Sequence, residues 1–311
     1  MWRRAAARLH NKIMFCGFVM KIALYGKTLR TENEALVKEI IGVLHKAGAE
    51  VTIYRPFLGT VFQCLDENVE YQTFDGCGQL RGNADMMFSL GGDGSVLDCV
   101  PLVRDSGMPV FGINMGHLGF LSSVSTDEAV GAVSNIIAGN YEVEHRTMVE
   151  IVDNETLFDG INYGLNEVSI QHSSYDSLIE VQVFVDDRLL NKYWGDGILL
   201  STPTGSTAYS LSAGGPIVAP NVTSFVITPI AAHNLSMRPV IISDDSKVKI
   251  KVNGRCENYA LGLDSRIKLV NKTFEFEIKK ADFFFNIVKM PYRDFFGTVR
   301  GKLLWGNDVR N

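Results

Sequence analysis

The rhythm of apolar and polar positions changes near the middle of the chain. In the first part, short continuous apolar runs alternate with stretches at helical spacing. Lys21-Ile22-Ala23-Leu24-Tyr25 predicts a strand. Thr31 and Glu34 have the spacing of a capping box. Leu36, Ile40, Val43, Leu44 and Ala47 follow at helical intervals, and Gly48 marks a stop. Val51 to Tyr54 predicts a second strand, and the polar stretch after it is ambiguous. Residues 86–90 predict another strand, which ends in Gly91-Gly92-Asp93-Gly94. A helix begins near Ser95, and Pro101 should kink or shorten it. Val110 to Asn114 is a further buried strand, and Ser125 with Glu128 boxes a helix carrying Val130, Val133 and Ile137. This alternation implies a Rossmann-like α/β domain, a parallel sheet with helices on both faces.

From about Glu142 the texture is strand-like: 150–152, 180–185, 198–200, 225–227, 240–242, 248–252 and 274–278, separated by Gly, Asn and Asp turns. These runs predict a β-rich second domain, a β-sandwich or an open pair of sheets. The tail places Phe295, Val299 and Leu303 four residues apart, a helix expected to return to the first domain. The expected organisation is an extension over 1–19, an α/β domain over 20–141, a β-rich domain over 142–284 and a returning segment over 285–311.

Composition narrows the class. The chain has 311 residues, 46% hydrophobic and 21% charged, with a net charge of −5. These are globular values, and the acidic balance speaks against a nucleic-acid surface, which carries a basic stripe. The five scattered cysteines include no CxxC pair and read as reduced thiols of a cytoplasmic protein. The Arg-rich start and short apolar stretch before Met20 resemble a targeting peptide. The apolar run is too short to span a bilayer, which takes about 20 residues. The plainer reading places a natural start at Met20, with 1–19 an overrun or an extension.

Candidate chemistry sits at three places. Gly91-Gly92-Asp93-Gly94 lies where a parallel strand ends, the location of ligand crevices in such sheets. Bare amides and the start of a helix suit a phosphate. Asp93 there either holds Mg²⁺ or orients a hydroxyl and accepts its proton; alternatively the loop is a turn whose carboxylate satisfies backbone donors. No GxxxxGK[ST] motif supplies a phosphate lysine. The stretch 195–217 packs Asp196, Ser201, Thr202, Thr204, Ser206, Thr207, Tyr209, Ser210 and Ser212 among glycines and prolines. Its hydroxyls could meet phosphate and sugar oxygens, and Tyr209 offers a flat face to a base or a nicotinamide; the alternative is a surface loop. Asn166 and Glu167, at the mouth of a strand, could grip vicinal hydroxyls or an adenine edge, or be an ordinary strand-end pair. The six histidines form no HxH or HExxH pattern, and no metal ligand is assigned. His117 and His233 read as structural.

Taken together, "GGDG" at 91–94, "NMGHLGFL" at 114–121, "NE" at 166–167, "GDGILLSTPTGSTAYSLSAGGP" at 195–216 and "LSMRPVII" at 235–242 resemble the bacterial-type NAD kinase family over residues 20–305. The resemblance implies phosphoryl transfer from ATP or another donor to the 2′-hydroxyl of the adenosine ribose of NAD, with Mg²⁺ or another divalent cation. It implies Asp93 as proton acceptor, Gly94 and Leu97 lining the nucleotide, and Phe120 near adenine. Asn166 and Glu167 would hold adenosine, and Asp196 and Ala231 would lie toward the nicotinamide. Thr207, Ala208, Tyr209 and Ser212 would form the pocket wall. It also implies a homodimer or homotetramer. Two positions depart from the family pattern: Trp194 falls where a basic residue is common, and Arg266 where a Gln is common. Arg266 would then supply a charged contact or lie solvated on the surface.

A free aspartate, with a pKa of about 3.9, is too acidic to strip a ribose hydroxyl in advance. Phosphoryl transfer, with its loose transition state, needs only that the hydroxyl be aimed and its proton taken late. The competing readings are a lipid kinase, which shares GGDG-like loops, and a non-catalytic nucleotide sensor. A Ser/Thr/Tyr pocket without an amphipathic membrane helix disfavours the first. A carboxylate beside phosphates disfavours the second, since binding alone gains nothing from it.

Overall fold

The computed structural model describes residues 19–116, 119–122, 124–152, 157–173, 178–254, 257–271 and 274–305. The chain forms two compact units: one contains residues up to Glu144 and from Asn286 onward, the other His145–Phe285.

The first unit is built on a parallel sheet of β1 (Lys21–Gly26), β2 (Glu50–Tyr54), β3 (Gln72–Phe74), β4 (Met86–Leu90) and β5 (Val110–Ile113), in the order β5-β4-β1-β2-β3. β1 and β4 are fully buried after the first residue of β1, as unbroken apolar runs between two layers of helix must be. Successive strands are laid down on one side of β1 and then on the other, so the strand order reverses between β1 and β4. Loops leaving those two carboxyl ends diverge and open a crevice.

The helix Glu34–Lys46 buries Val37, Ile40, Ile41 and Leu44, while Ala47, expected inside, is exposed. Gly48 closes it at φ 75°. The anticipated box at its start does not form; Thr31–Asn33 makes a 3₁₀ turn without a side-chain cap. The second box does form. The Ser125 amide and hydroxyl meet the Glu128 carboxylate at 3.3 and 3.0 Å at the start of helix Thr126–Ile137, and Arg293 pairs with the same carboxylate. Pro101 acts as expected: the helix opening at Asp93 stops at Asp98, and a separate turn runs Val100–Val103. The ambiguous stretch folds as helices Arg55–Val61 and Cys77–Leu80 around β3. Helix Phe295–Leu303 belongs to this unit, capped by Asp294, whose carboxylate accepts from the Gly297 amide at 2.7 Å, and it buries Val299.

The second unit stacks two sheets. One is antiparallel, with β8 (Glu167–His172), β11 (Gly197–Ser201), β12 (Ser224–Ile230), β13 (Val240–Ser243), β15 (Asn258–Leu263) and β16 (Arg266–Asn271) in the order β13-β12-β11-β8-β15-β16. The other contains residues 145–151 of β6 (Glu142–Ile151), β7 (Tyr163–Gly164), β9 (Ile179–Val185), β10 (Arg188–Gly195), β14 (Val248–Asn253) and residues 275–285 of β17 (Glu275–Lys289). Val168, Ile170, Ile198, Leu200, Phe225 and Leu261 from the first share one core with Val181, Val183, Ile250 and Phe276 from the second, the packing of a β-sandwich. β8 forms at the strand mouth expected from the Asn166-Glu167 pair, and β7, β10, β15 and β16 are additions to the strands read from sequence.

Candidate active site

Gly91, the first glycine after β4, is required by the fold. Its φ is 152° and a Cβ would strike the Ser95 side chain. Gly92 and Gly94 differ. Both are exposed, neither has a positive φ, and a Cβ on either would meet nothing within 4 Å. Gly94 lies inside a helix, where glycine costs about 1 kcal/mol relative to alanine, and among the described residues no close packing calls for it.

Asp93, between them, is clasped by the 119–122 segment. Its Oδ1 accepts from the Leu121 amide (3.0 Å), the Ser122 amide (3.0 Å) and the Ser122 hydroxyl (2.9 Å); its Oδ2 accepts from the Phe120 amide at 2.7 Å. Gly119 lies so close that a Cβ there would overlap the carboxylate. Gly112, in β5, has room for no Cβ because the Ser122 backbone and Val96 press on it, and this lets the clasp sit against the sheet. The alternative in which Asp93 satisfies backbone donors is therefore realised, with donors from a segment 27–29 residues away. A carboxylate has about four lone-pair directions, so Oδ1 is saturated and Oδ2 keeps one.

In the second unit the polar groups are arranged the opposite way. The Asp264 carboxylate, in the β15–β16 turn at φ 52°, accepts from the amides of Leu165 (2.8 Å), Asn166 (2.7 Å) and Glu167 (3.2 Å). This pins the Asn166-Glu167 pair at the mouth of β8. Glu167 is 9% exposed, and its Oε2 is buried with no hydrogen-bond partner. Burial first, then the nearby Asp264 charge, push its pKa up to about 8. Burial lifts Asp264 too, against the pull of three amides and Arg266. Of the two acids Glu167 is the more readily protonated, because amides and Arg266 favour the charged form of Asp264 and no such donor meets Glu167. Ser201, its partner in register on β11, also has a buried hydroxyl without a partner.

The hydroxyl-rich loop is mostly turned inward. Thr202 Oγ1 donates to the Leu165 carbonyl (2.6 Å) and accepts from the Gly205 amide (3.1 Å). Ser206 donates to the Pro203 carbonyl (2.6 Å) and accepts from the Val218 amide (2.9 Å); Ser210 pairs with Thr228 at 3.0 Å. Gly205 packs on the Asn166 backbone with no space for a Cβ. These hydroxyls, and Thr204, are buried and build the loop; they are not available to phosphate or sugar, which corrects the broad reading of this stretch. Thr207, Ala208, Tyr209 and Ser212 reach the surface. The Tyr209 hydroxyl donates to Gln171 Oε1 at 3.4 Å, and its ring lies within electrostatic reach of both Glu167 and Asp196. At the other end of the same sheet, Asp196 lies 3.6 Å from His172, and its amide donates to the Ile230 carbonyl. Ala231 follows in a left-handed conformation, φ 45°, the kind of local strain that clusters at ligand sites.

Profiles of the ATP-NAD kinase N-terminal domain and the ATP-NAD kinase C-terminal domain match residues 19–141 and 165–290. The chain belongs to the NAD kinase family. It is 40% identical over 295 residues to the NAD kinase of Flavobacterium johnsoniae, covering 94% of this chain and all of that one. It is 37% identical over 296 residues to that of Cytophaga hutchinsonii, with the same coverage. Among solved structures, yeast NADH kinase complexed with NADH aligns with a TM-score of 0.83 at 26% identity, covering 94% of this chain and 89% of that one. An NAD kinase from Archaeoglobus fulgidus in complex with ATP aligns with a TM-score of 0.71 at 25% identity, covering 92% and 99%.

Within this NAD kinase framework, Glu167 and Gln171 lie on the face of β8 opposite the core-facing Val168 and Ile170, Tyr209 meets Gln171 there, and Asp196 directly precedes β11 at the far end of the sheet. Trp194 is half exposed at the end of β10. Leu97 is half-buried in the helix after the glycine loop. Phe120 contributes its amide to Asp93, and one ring face is taken by Lys302, 4.9 Å from the centroid. Arg266 is half-buried. Its guanidinium donates to the carbonyls of Ile161 (2.6 Å) and Tyr163 (2.5 Å) and lies 5.6 Å from the Phe158 centroid, so it braces the fold beside Asp264. His233 is exposed, and His117 lies outside the described residues. Asp264 was missed. Its signal was the two-residue Asp264-Ser265 turn between strand-like runs, a position suited to an Asp at positive φ.

Proposed function

We propose that the protein transfers a phosphoryl group from ATP to the 2′-hydroxyl of the adenosine ribose of NAD, giving NADP. The observation that carries this is local. Two exposed glycines with no role in the protein's own packing flank a carboxylate with one open acceptor direction on Oδ2. Such a loop admits a phosphate chain against bare backbone and a hydroxyl against the acid.

In the reaction, the ribose hydroxyl donates its hydrogen bond to Asp93 Oδ2. The clasp fixes that oxygen, so the hydroxyl is aimed without a reorganisation cost. The bond from O2′ to the γ-phosphorus forms as the bridge to the β-phosphate breaks. The proton passes to Asp93 late in the step, and ADP leaves with the former bridging oxygen. Asn166 and Glu167 hold the adenosine. The buried Oε2 of Glu167, unpartnered in the empty protein, takes its missing partner from ligand hydroxyls or amines. Thr207, Ala208, Tyr209 and Ser212 wall the dinucleotide, and Asp196, Ala231 and Trp194 lie toward its nicotinamide side.

A resident metal does not fit the donor set. Asp93 Oδ1 is already saturated, and among the described residues no three His, Cys, Asp or Glu side chains are grouped to hold an ion. Mg²⁺ enters as the counter-ion of the triphosphate, part of the substrate. Homo-oligomers, dimer or tetramer, follow by analogy with the family. Free thiols at Cys64, Cys77 and Cys99 support a cytoplasmic, reducing setting, and no described helix is long and apolar enough to cross a membrane.

The direct test incubates the purified protein with NAD, ATP and Mg²⁺ and reads NADP with an NADP-specific dehydrogenase. Time-dependent NADP formation is expected; NAD binding without turnover would overturn the reading. Repeating the assay with NADH and with polyphosphate defines acceptor and donor range.

A further inference from the structure

We propose that Lys27 is a donor-binding residue whose ammonium neutralises the phosphate chain of the phosphoryl donor at the glycine loop. The proposal rests on reading Gly91–Gly94 as the seat of that chain, and it assigns a cation the loop itself lacks. A triphosphate brings concentrated negative charge, and the loop offers it amides, one carboxylate and a helix of only six residues.

The fold supplies the missing charge from the neighbouring strand. β1 lies beside β4 in parallel register, with Gly26 opposite Leu90. Lys27 therefore leaves the sheet at the level where Gly91 leaves it, on the two strands between which the order reverses. That crevice is where ligands sit in open α/β sheets. The exit is rigid: a Cβ on Gly26 would meet the Phe57 ring at 2.6–2.8 Å, and Phe57 is fully buried.

The side chain is also held. Lys27 Nζ lies 2.7 Å from Asp98 Oδ2, while the lysine side chain is 61% exposed and the aspartate 23%. Asp98 is the last residue of the helix that begins at Asp93, and it also hydrogen-bonds the buried Tyr25 hydroxyl. A fixed carboxylate thus holds an exposed ammonium at the last residue of the short helix that the glycine loop opens. An exposed pair of this kind adds little to stability, typically 0–1 kcal/mol, so the ammonium can exchange its partner for phosphate oxygens at small cost. Lys302, near the segment that clasps Asp93, has its ammonium over the Phe120 ring.

The contact is to phosphate and not to the nucleoside, so ATP and inorganic tripolyphosphate serve as paired probes. In Lys27→Gln, the KM for ATP should rise on the order of 10-fold to 100-fold, the scale of a lost charge-assisted hydrogen bond. The inhibition constant of tripolyphosphate against ATP should rise in parallel. The KM for NAD and the melting temperature should hold. Lys27→Arg should restore most of the ATP affinity. Lys46→Gln, an exposed cation at the last turn of helix Glu34–Lys46 and so at the opposite end of the sheet, should leave the KM for ATP unchanged. An ATP KM within twofold of wild type in Lys27→Gln overturns the proposal. So does weakened ATP binding with unchanged tripolyphosphate inhibition, an equal loss in Lys46→Gln, or an equal rise in the KM for NAD. Failure of the wild-type protein to form NADP would instead remove the kinase reading beneath it.

Discussion

The glycine loop of the first unit and the hydroxyl-rich loop of the second treat their polar groups in opposite ways. Around Asp93 the carboxylate is almost fully satisfied, by four donors from 120–122, and the unexplained features are the two glycines beside it. Around Glu167 the backbone and the hydroxyls of Thr202, Ser206 and Ser210 are satisfied inward, and the unexplained features are the acid, buried with a bare oxygen, and the unpartnered Ser201 hydroxyl beside it. One loop withholds side chains and immobilises its acid; the other supplies side chains and leaves its acid short of a partner. The difference is what the proposed reaction would ask of the two acids. A group that aims a hydroxyl at phosphorus gains from rigidity, since misplacement is costly. A group that recognises a ligand gains from being incomplete without it, because a buried unpaired polar atom penalises the empty state and any analogue lacking the matching group.

The largest effect expected is on the rigid side. Asp93→Asn keeps the shape of the side chain but weakens its capacity to accept four donors and a proton. Turnover should fall about 100-fold or more, the usual scale for a general base, with the KM for NAD little changed; near-normal turnover would show the clasp to be purely architectural.

Next comes the incomplete side. Folded Glu167 holds its proton up to about pH 8, whereas an unfolded glutamate releases it near pH 4.3, a value of about the model-peptide scale. Between those limits the native state binds more protons than the unfolded chain, so stability of the empty protein falls as pH rises through this window. Glu167→Gln mimics the protonated form at every pH. Its melting temperature should gain on that of wild type from pH 5 to about pH 8 and level off above that, and a pH-independent difference would contradict the assignment of the proton to Glu167.

What the sequence disclosed and what it concealed divide along the same physical line. Features set by nearest neighbours were legible: β1 and β4 as unbroken apolar runs, the break at Pro101, the Ser125–Glu128 box. The same spacing at Thr31 and Glu34 gave no box, because the chain enters that helix through a 3₁₀ turn. β16 escaped notice because it is an edge strand with Ile267 and Leu269 about 70% exposed, so its pattern is not that of a half-buried strand. At the site, residue types were readable but their directions were not. Thr202, Ser206 and Ser210 have the composition of a ligand-binding loop and point into it, while Arg266 spends its donors on carbonyls more than 100 residues away. Asp93's clasp and Glu167's missing partner depend on long-range closure, which no local pattern encodes.

A smaller effect tests the inward hydroxyls. Thr202→Val preserves shape and deletes both buried hydrogen bonds, costing about 1–3 kcal/mol of stability. Tyr209→Phe removes one long, exposed contact and should stay within about 0.5 kcal/mol. Thermal or urea unfolding separates them, and equal stabilities would mean that the loop is not held by its own hydroxyls.

The glycines come last, where the contrast between fold and function is sharpest and where Gly92 and Gly94 should give up no stability at all. Gly91→Ala must fit a Cβ into the Ser95 side chain at φ 152°, and it should destabilise the protein while also impairing activity. Gly92→Ala and Gly94→Ala meet open space at allowed backbone angles. By helix propensity Gly94→Ala should be neutral or gain up to about 1 kcal/mol. If the vacant space belongs to a phosphate chain, both variants should raise the KM for ATP, by about 10-fold for the loss of one close backbone contact of about 1.4 kcal/mol, with unfolding curves at or above that of wild type. Stable folding with weakened donor binding would separate the purpose of these two glycines from that of their neighbour at 91. Unchanged ATP kinetics in both would mean that the donor does not approach the loop's backbone, and the reason for glycine at 92 and 94 would have to be sought outside the reaction.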